Sequence, residues 1–124
     1  MARSEPIFNA PRVVLGVLVV LIAVHVAREY LIDAESDHWL VLTMAFIPAR
    51  FSGEELPGGE IAKLTSFLSH AVLHGDFTHL TVNCGWLLAF GTIVARRIDA
   101  IRFILLLGIS AVAGGMLFLA LNWG

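Results

Sequence analysis

The sequence has little charge, a single cysteine and no cluster of basic residues interleaved with aromatics. Charged residues make up 15% of its 124 residues and the net charge is −2, so we do not expect a nucleic-acid-binding surface. Cys84 has no second cysteine with which to form an intramolecular disulfide. In contrast, 58% of the residues are hydrophobic and the mean hydropathy is +0.85. This composition predicts a protein of the lipid bilayer.

Three apolar stretches are each long enough to cross a bilayer as a helix, which takes about 20 residues. We predict spans at about 13–32, 77–95 and 101–122, after a polar arm at 1–12. The first stretch is also similar to a secretory signal peptide, but no clear Ala-x-Ala cleavage site follows it, so a retained span is preferred. His25, near the outer end of this span, is interpreted as an interfacial or helix-packing residue.

The connection between the first and second spans, at about 33–76, is predicted to have its own order. An apolar segment with Trp39 at its edge is expected to lie in the membrane interface and to end at Pro48. Residues 52–59 are predicted to form a solvated turn, and residues 60–68 a short amphipathic helix that returns to the membrane.

Three of the five histidines lie just before the second span or in its first turn. His79 and Asn83 are four residues apart and would share one face of a helix that Asp76 caps. An imidazole and a carboxamide that faced lipid would be costly, so both are expected to face protein or water. From the residues alone, a polar helix-packing pair is preferred to a pair of hydrogen-bond donors in a catalytic site.

His70, His74, His79 and Asn83, at these spacings before and within an apolar helix, closely resemble the second transmembrane helix of the rhomboid family of intramembrane serine proteases. The resemblance extends to three neighbouring segments, at 67–70, 86–91 and 95–97. It implies an all-α membrane fold with three transmembrane helices in this chain and a long, partly membrane-embedded outer loop between the first two. The chain would then be a truncated rhomboid-like helical bundle.

The resemblance also implies roles for the polar residues. His79 and Asn83 correspond to residues that help to form the oxyanion hole, and His70 and His74 to mainly structural histidines. No cofactor and no metal are implied. The chain departs from many family members at Thr65-Ser66, where they carry Trp-Arg.

Family members carry a Gly-x-Ser-Gly motif at the start of the fourth span and a catalytic histidine in the sixth, and neither precedes Gly124. We therefore expect a partial rhomboid domain at 13–124 that is inactive alone and would need the remaining helices of the same domain. The implied family function is cleavage of transmembrane proteins near the outer membrane face. The alternative is a catalytically dead rhomboid-like protein that binds transmembrane clients. Membrane lipids are partners in either case.

Two other chemistries are less favoured. Ser110 lies in the middle of the third apolar stretch, so it is interpreted as a packing residue and not as a nucleophile in a strained turn. The small residues Ser110 and Gly114, and Ala111 and Gly115, predict a packing face on that helix. His70 and His74 have metal-ligand spacing, but Ala71 stands where a metalloprotease helix has its general base. A structural metal or haem ligand is the remaining alternative.

Charge asymmetry predicts the orientation of the chain. Arginines lie before the first span and around the turn between the second and third, and most acidic residues lie in the connection at 33–76. The positive-inside rule then places the N-terminus in the cytoplasm and the stretch at 70–83 at the outer leaflet. A multi-pass protein of a bacterial inner membrane is expected.

Overall fold

The structure, a computed structural model, describes residues 9–123, so most of the predicted polar arm lies outside the described residues. Within this range the chain is helical and contains no β-strand. Three helices are long and apolar enough to cross a membrane: α1, Arg12–Leu31; α4, Phe77–Ala95; and α5, Ala100–Leu121. The prediction of an all-α protein with three spans is therefore confirmed.

Two of the long helices contain a widened, π-helical turn. In α1 it covers Ala27–Leu31, at the C-terminal end of the helix. In α4 it covers Leu87–Gly91, in the middle of the helix. Single π turns inside α-helices are rare and occur frequently at functional sites. The turn in α1 carries Arg28, whose side chain donates to the backbone carbonyl of His74 just before α4.

Aspartates start three of the helices by accepting a backbone hydrogen bond from the first turn. The carboxylate of Asp33 accepts from Ser36 N at 2.6 Å, that of Asp76 from His79 N at 2.7 Å, and that of Asp99 from Arg102 N at 2.8 Å. Such caps satisfy an N–H group that the helix itself leaves without a partner. The backbone hydrogen bond from Ser36 also lowers the pKa of Asp33. The predicted cap at Asp76 is confirmed.

The connection between α1 and α4 contains two helices, α2 at Ala34–Met44 and α3 at Gly59–Ser69. The α2 helix ends at Met44, before the predicted end at Pro48, because Ala45 is already extended with ψ 150°. The predicted amphipathic helix at 60–68 is confirmed as α3. It buries Ala62 and Ser66 and exposes apolar side chains on another face, as a helix against lipid would.

Arg50 holds this connection together through backbone carbonyls. Its side chain is buried and donates from Nη1 to Pro57 O at 2.9 Å and from Nη2 to Leu42 O. The Ser66 hydroxyl, by contrast, donates only within its own helix, to Lys63 O at 3.1 Å. The buried Arg50 thus joins separate segments of the connection, whereas the Ser66 hydroxyl bonds only within α3.

The third span packs against the connection through one of its two predicted small-residue faces. Gly115 is buried, and a Cβ atom there would lie 3.2 Å from the Phe67 ring and 3.4 Å from the Phe46 ring. Gly114 is exposed, and a Cβ atom there would meet nothing within 4 Å. The pattern of Ala111 and Gly115 thus marks the packed face. Ser110 lies within the unbroken α5 helix, as predicted.

Candidate functional site

The site is built on the first two turns of α4. The amide nitrogen of Asn83 lies 3.0 Å from Nε2 of His74 and 3.4 Å from Nε2 of His79. The two imidazole rings meet nearly edge to face, with centroids 5.1 Å apart. The helical spacing of four residues brings His79 beneath Asn83, and the turn before α4 brings in His74. We call these residues the His74–His79–Asn83 trio.

The positions of the hydrogens in the trio follow from the orientation of the Asn83 amide, which turns its nitrogen toward both rings. The Asn83 amide nitrogen can only donate, so each imidazole Nε2 that it contacts must accept. A neutral imidazole has one N–H, and in both histidines that hydrogen is then on Nδ1. The contact to His74 has normal hydrogen-bond length, whereas the 3.4 Å contact to His79 is long and weak. One hydrogen of the Asn83 amide is therefore loosely held.

Burial differs within the trio. His74 is only 3% exposed, whereas His79 and Asn83 are both exposed. Burial lowers the pKa of His74 below its ordinary value, the nearby His79 and His25 lower it further, and an interaction with the backbone of Val72 acts in the opposite direction. His74 is thus a neutral, buried support, and the other two residues can contact another molecule.

Arg28 ties this site to two other parts of the chain. Its Nη1 donates to the backbone carbonyl of His74 at 2.9 Å, and its Nε donates to Oδ1 of Asp37 at 2.7 Å. Arg28 was not predicted from the sequence to be part of the site. The sequence does have a cation at the C-terminal end of the first span, followed closely by an acidic segment, but nothing in it indicates the bond to His74.

His70 lies apart from the trio. Helix α3 ends at Ser69, so His70 and His74 do not share a helix face, and their metal-ligand spacing has no helical basis. Instead Nε2 of His70 lies 3.1 Å from the carbonyl oxygen of Ala111 on α5. Among residues 9–123, no group of three or more histidine, cysteine, aspartate or glutamate side chains is placed to hold a metal ion.

His25 is a packing residue, as interpreted from the sequence. It is 1% exposed, and its ring meets that of Phe77 edge to face with centroids 4.5 Å apart. Its Nε2 lies 4.0 Å from a carboxylate oxygen of Glu29, one helical turn further along α1. His25 thereby joins the C-terminal part of α1 to the start of α4.

A cavity of about 510 Å³ opens beside the trio, between α1, α4 and α5. His74, Asn83 and Ser110 are its polar lining residues, and aliphatic or small residues line the rest. Ser110 is held in regular helix, which does not present its hydroxyl as a strained turn would. The cavity therefore combines an apolar wall with the amide of Asn83.

The fold and the site define an integral membrane protein with a polar constellation at the start of its second span. A protein-family model described as "Rhomboid domain" matches residues 62–123, half of the chain. The match runs from α3 to the end of α5 and includes every residue of the trio. The chain belongs to the rhomboid family. Searches among curated proteins and among solved structures gave no match.

Proposed function

We propose that the His74–His79–Asn83 trio supplies the oxyanion-stabilising part of a serine-type intramembrane endopeptidase that cleaves transmembrane proteins. The observation that carries this proposal is the Asn83 amide, held by buried His74 while its second hydrogen makes only a 3.4 Å contact. Membership of the rhomboid family supports it. His70 has a structural role in the proposal, because it joins the chain before α4 to α5.

Attack of a serine on a peptide carbonyl places negative charge on the carbonyl oxygen. Donors already aimed at that oxygen stabilise the transition state more than the ground state. Asn83 can give up its weak contact with His79 and donate that hydrogen to the oxyanion while its other hydrogen stays bonded to His74, and exposed His79 can offer its Nδ1–H. The sequence has no Gly-x-Ser-Gly motif, so in this proposal the nucleophile and its base come from further helices of the same domain.

The proposal places the N-terminus in the cytoplasm and the trio near the outer face of a bacterial inner membrane. Arg96 donates from Nη2 to Asn9 O at 2.8 Å, which brings the start of α1 and the end of α4 to one end of the bundle. Arg12, Arg97 and Arg102 lie at this same end, and the positive-inside rule assigns it to the cytoplasm.

The test uses a reading frame that continues past Gly124 into a Gly-x-Ser-Gly motif and a later histidine. In that protein, His79→Ala and Asn83→Ala should each lower kcat for a transmembrane substrate by about 10²–10³, the usual effect of removing one oxyanion donor. Thr81→Ala is the matched control, because Thr81 lies on the same helix and its hydroxyl donates to Phe77 O. It should leave kcat unchanged.

Two results would contradict the proposal. One is full activity in an extended His79→Ala/Asn83→Ala double variant, since the two proposed donors would then be dispensable. The other is robust cleavage by the 124-residue chain that a fluorophosphonate abolishes, since no serine in it lies in a motif of this kind. Reading the DNA beyond Gly124 is the first step of this test.

The cavity supports a second candidate, a rhomboid-like protein that binds transmembrane clients without cleaving them. Its mostly aliphatic lining suits a helix from another protein. Gly108→Leu would fill part of this cavity, because the glycine lines it and a Cβ atom there meets only Leu68, at 3.7 Å. Weaker capture of a single-span client by this variant in lipid nanodiscs, without any cleavage, would favour this function.

A further inference from the structure

Arg28 is a largely buried cation that bonds to two separate elements. Its side chain is 11% exposed. Nε and Nη2 reach the two carboxylate oxygens of Asp37 on α2, at 2.7 and 3.5 Å, and Nη1 donates to the His74 carbonyl at 2.9 Å. One guanidinium thus connects the outer end of α1, the start of α2 and the turn before α4.

The geometry suits arginine and no other side chain. A guanidinium presents several N–H groups in a rigid fork, so it can bind a carboxylate side-on and still donate to a third oxygen. A lysine ammonium is a single point charge and would lose this arrangement. The π-helical turn at Ala27–Leu31 carries Arg28.

The His74 backbone needs such a support. The preceding turn ends at Val72, Leu73 is extended with ψ 138°, and Gly75 follows. Glycine leaves the chain with more conformational freedom than any other residue, and α4 begins only at Phe77. In this stretch Arg28 donates to the carbonyl of His74, and the His74 ring accepts from Asn83.

We propose that Arg28, anchored by Asp37, is a positioning residue for the functional site. It fixes the His74 backbone, His74 in turn fixes the Asn83 amide, and the amide is thereby held ready to donate. Arg28 touches neither substrate nor the reacting atoms in this arrangement. Its effect on turnover rests on the proposed function, whereas its effect on the arrangement of the trio does not.

The direct test is nuclear magnetic resonance of the 124-residue chain in lipid nanodiscs, with ¹⁵N in histidine rings and asparagine amides. In the unaltered protein, His74 should appear as a neutral ring with its hydrogen on Nδ1. Arg28→Gln should convert this signal to a mixture of tautomers and shift the Asn83 amide signals, because the Asn83–His74 bond is no longer held.

Two further variants keep the test decisive if Arg28→Gln fails to fold. Arg28→Lys keeps the charge but loses the fork, and should perturb the same signals. Asp37→Asn keeps an acceptor and should perturb them less. Arg102→Gln is the matched control, since Arg102 is exposed and its Nε lies 3.7 Å from Asp99. Unchanged His74 and Asn83 signals in folded Arg28→Lys or Arg28→Gln would overturn the proposal.

A kinetic measurement separates this inference from the proposed function. In an active extended protein, Arg28→Gln should lower kcat by roughly 10- to 100-fold with little change in KM, as misplacement of a catalytic group does. A raised KM with unchanged kcat would overturn positioning. If Asn83→Ala leaves turnover intact but Arg28→Gln still perturbs the trio's signals, the proposed function fails and the positioning of the trio stands.

Discussion

Asn83 and His79 should differ sharply in what they contribute to stability, although both are proposed to act in catalysis. Asn83→Ala removes a 3.0 Å hydrogen bond and leaves Nε2 of His74 without its donor. His74 is 3% exposed while the amide is in place, so its Nε2 is shielded from water in the folded protein. An unsatisfied buried polar group costs about 1–3 kcal/mol. We expect Asn83→Ala to lower the free energy of unfolding by about that amount.

His79→Ala removes much less. His79 is exposed, and its contact with the Asn83 amide is 3.4 Å long. Substitutions at exposed positions without special contacts usually change stability by less than about 0.5 kcal/mol, and we expect His79→Ala to fall in that range. The measurement is equilibrium unfolding in mixed micelles, followed by circular dichroism, with Thr81→Ala on the same helix as the control.

Equal loss of stability in the two variants would refute this reasoning, because it depends on the difference in burial and contact length. Unchanged stability in Asn83→Ala would refute it too, since the His74 ring would then not depend on the amide. The comparison needs no enzymatic activity and can be made on the chain as it is.

Three further predictions concern other parts of the molecule. Burial holds the pKa of His74 below 6.5 in the folded protein, so near and below that pH the unfolded chain binds more protons there than the folded chain does. The stability that this difference contributes is present above pH 6.5 and is lost as the pH falls below it. His74→Gln should reduce this loss in unfolding measurements between about pH 7.5 and 5, whereas the control His38→Gln, at an exposed position, should not. Gly115→Ala should be less stable than Gly114→Ala by about 1 kcal/mol, because both variants gain the same helix propensity but only the Cβ at position 115 would crowd Phe67, at 3.2 Å; equal melting temperatures for the two variants would contradict this. In a Cys84→Ser background, Glu55→Cys should react with a membrane-impermeant maleimide added outside sealed cells, because Glu55 is exposed in the segment at 52–59, and protection from it would refute the proposed orientation.

The spans and their starts could be predicted from the sequence because the signals are local. Each span consists mainly of one long apolar stretch, and Asp76 stands directly before the helix that it caps. The pairing of His79 with Asn83 follows from helical periodicity alone. These features depend on neighbours in the chain, so no knowledge of the tertiary structure is needed to find them.

The rest of the site depends on contacts between distant segments. Arg28 and His74 are 46 residues apart in the chain, and their bond exists only because α1 packs beside the turn before α4. The choice between two small-residue faces on α5 has the same origin. Ser110 with Gly114 and Ala111 with Gly115 are equally good patterns, and the position of Phe67 selects the second. No local property of the sequence distinguishes them.

In the proposed function, the division between buried and exposed groups makes one short stretch both stable and able to donate to an oxyanion. His74 is buried and lies between a guanidinium that holds its backbone and an amide that bonds its ring. His74 accepts one hydrogen of the exposed Asn83 amide at 3.0 Å, which gives the amide a defined orientation. The second hydrogen makes only the weaker 3.4 Å contact to His79. A fully satisfied amide would have nothing left to donate, and an unsupported one would lose its orientation to solvent. The unequal pair of contacts, 3.0 and 3.4 Å, is the arrangement that meets both needs.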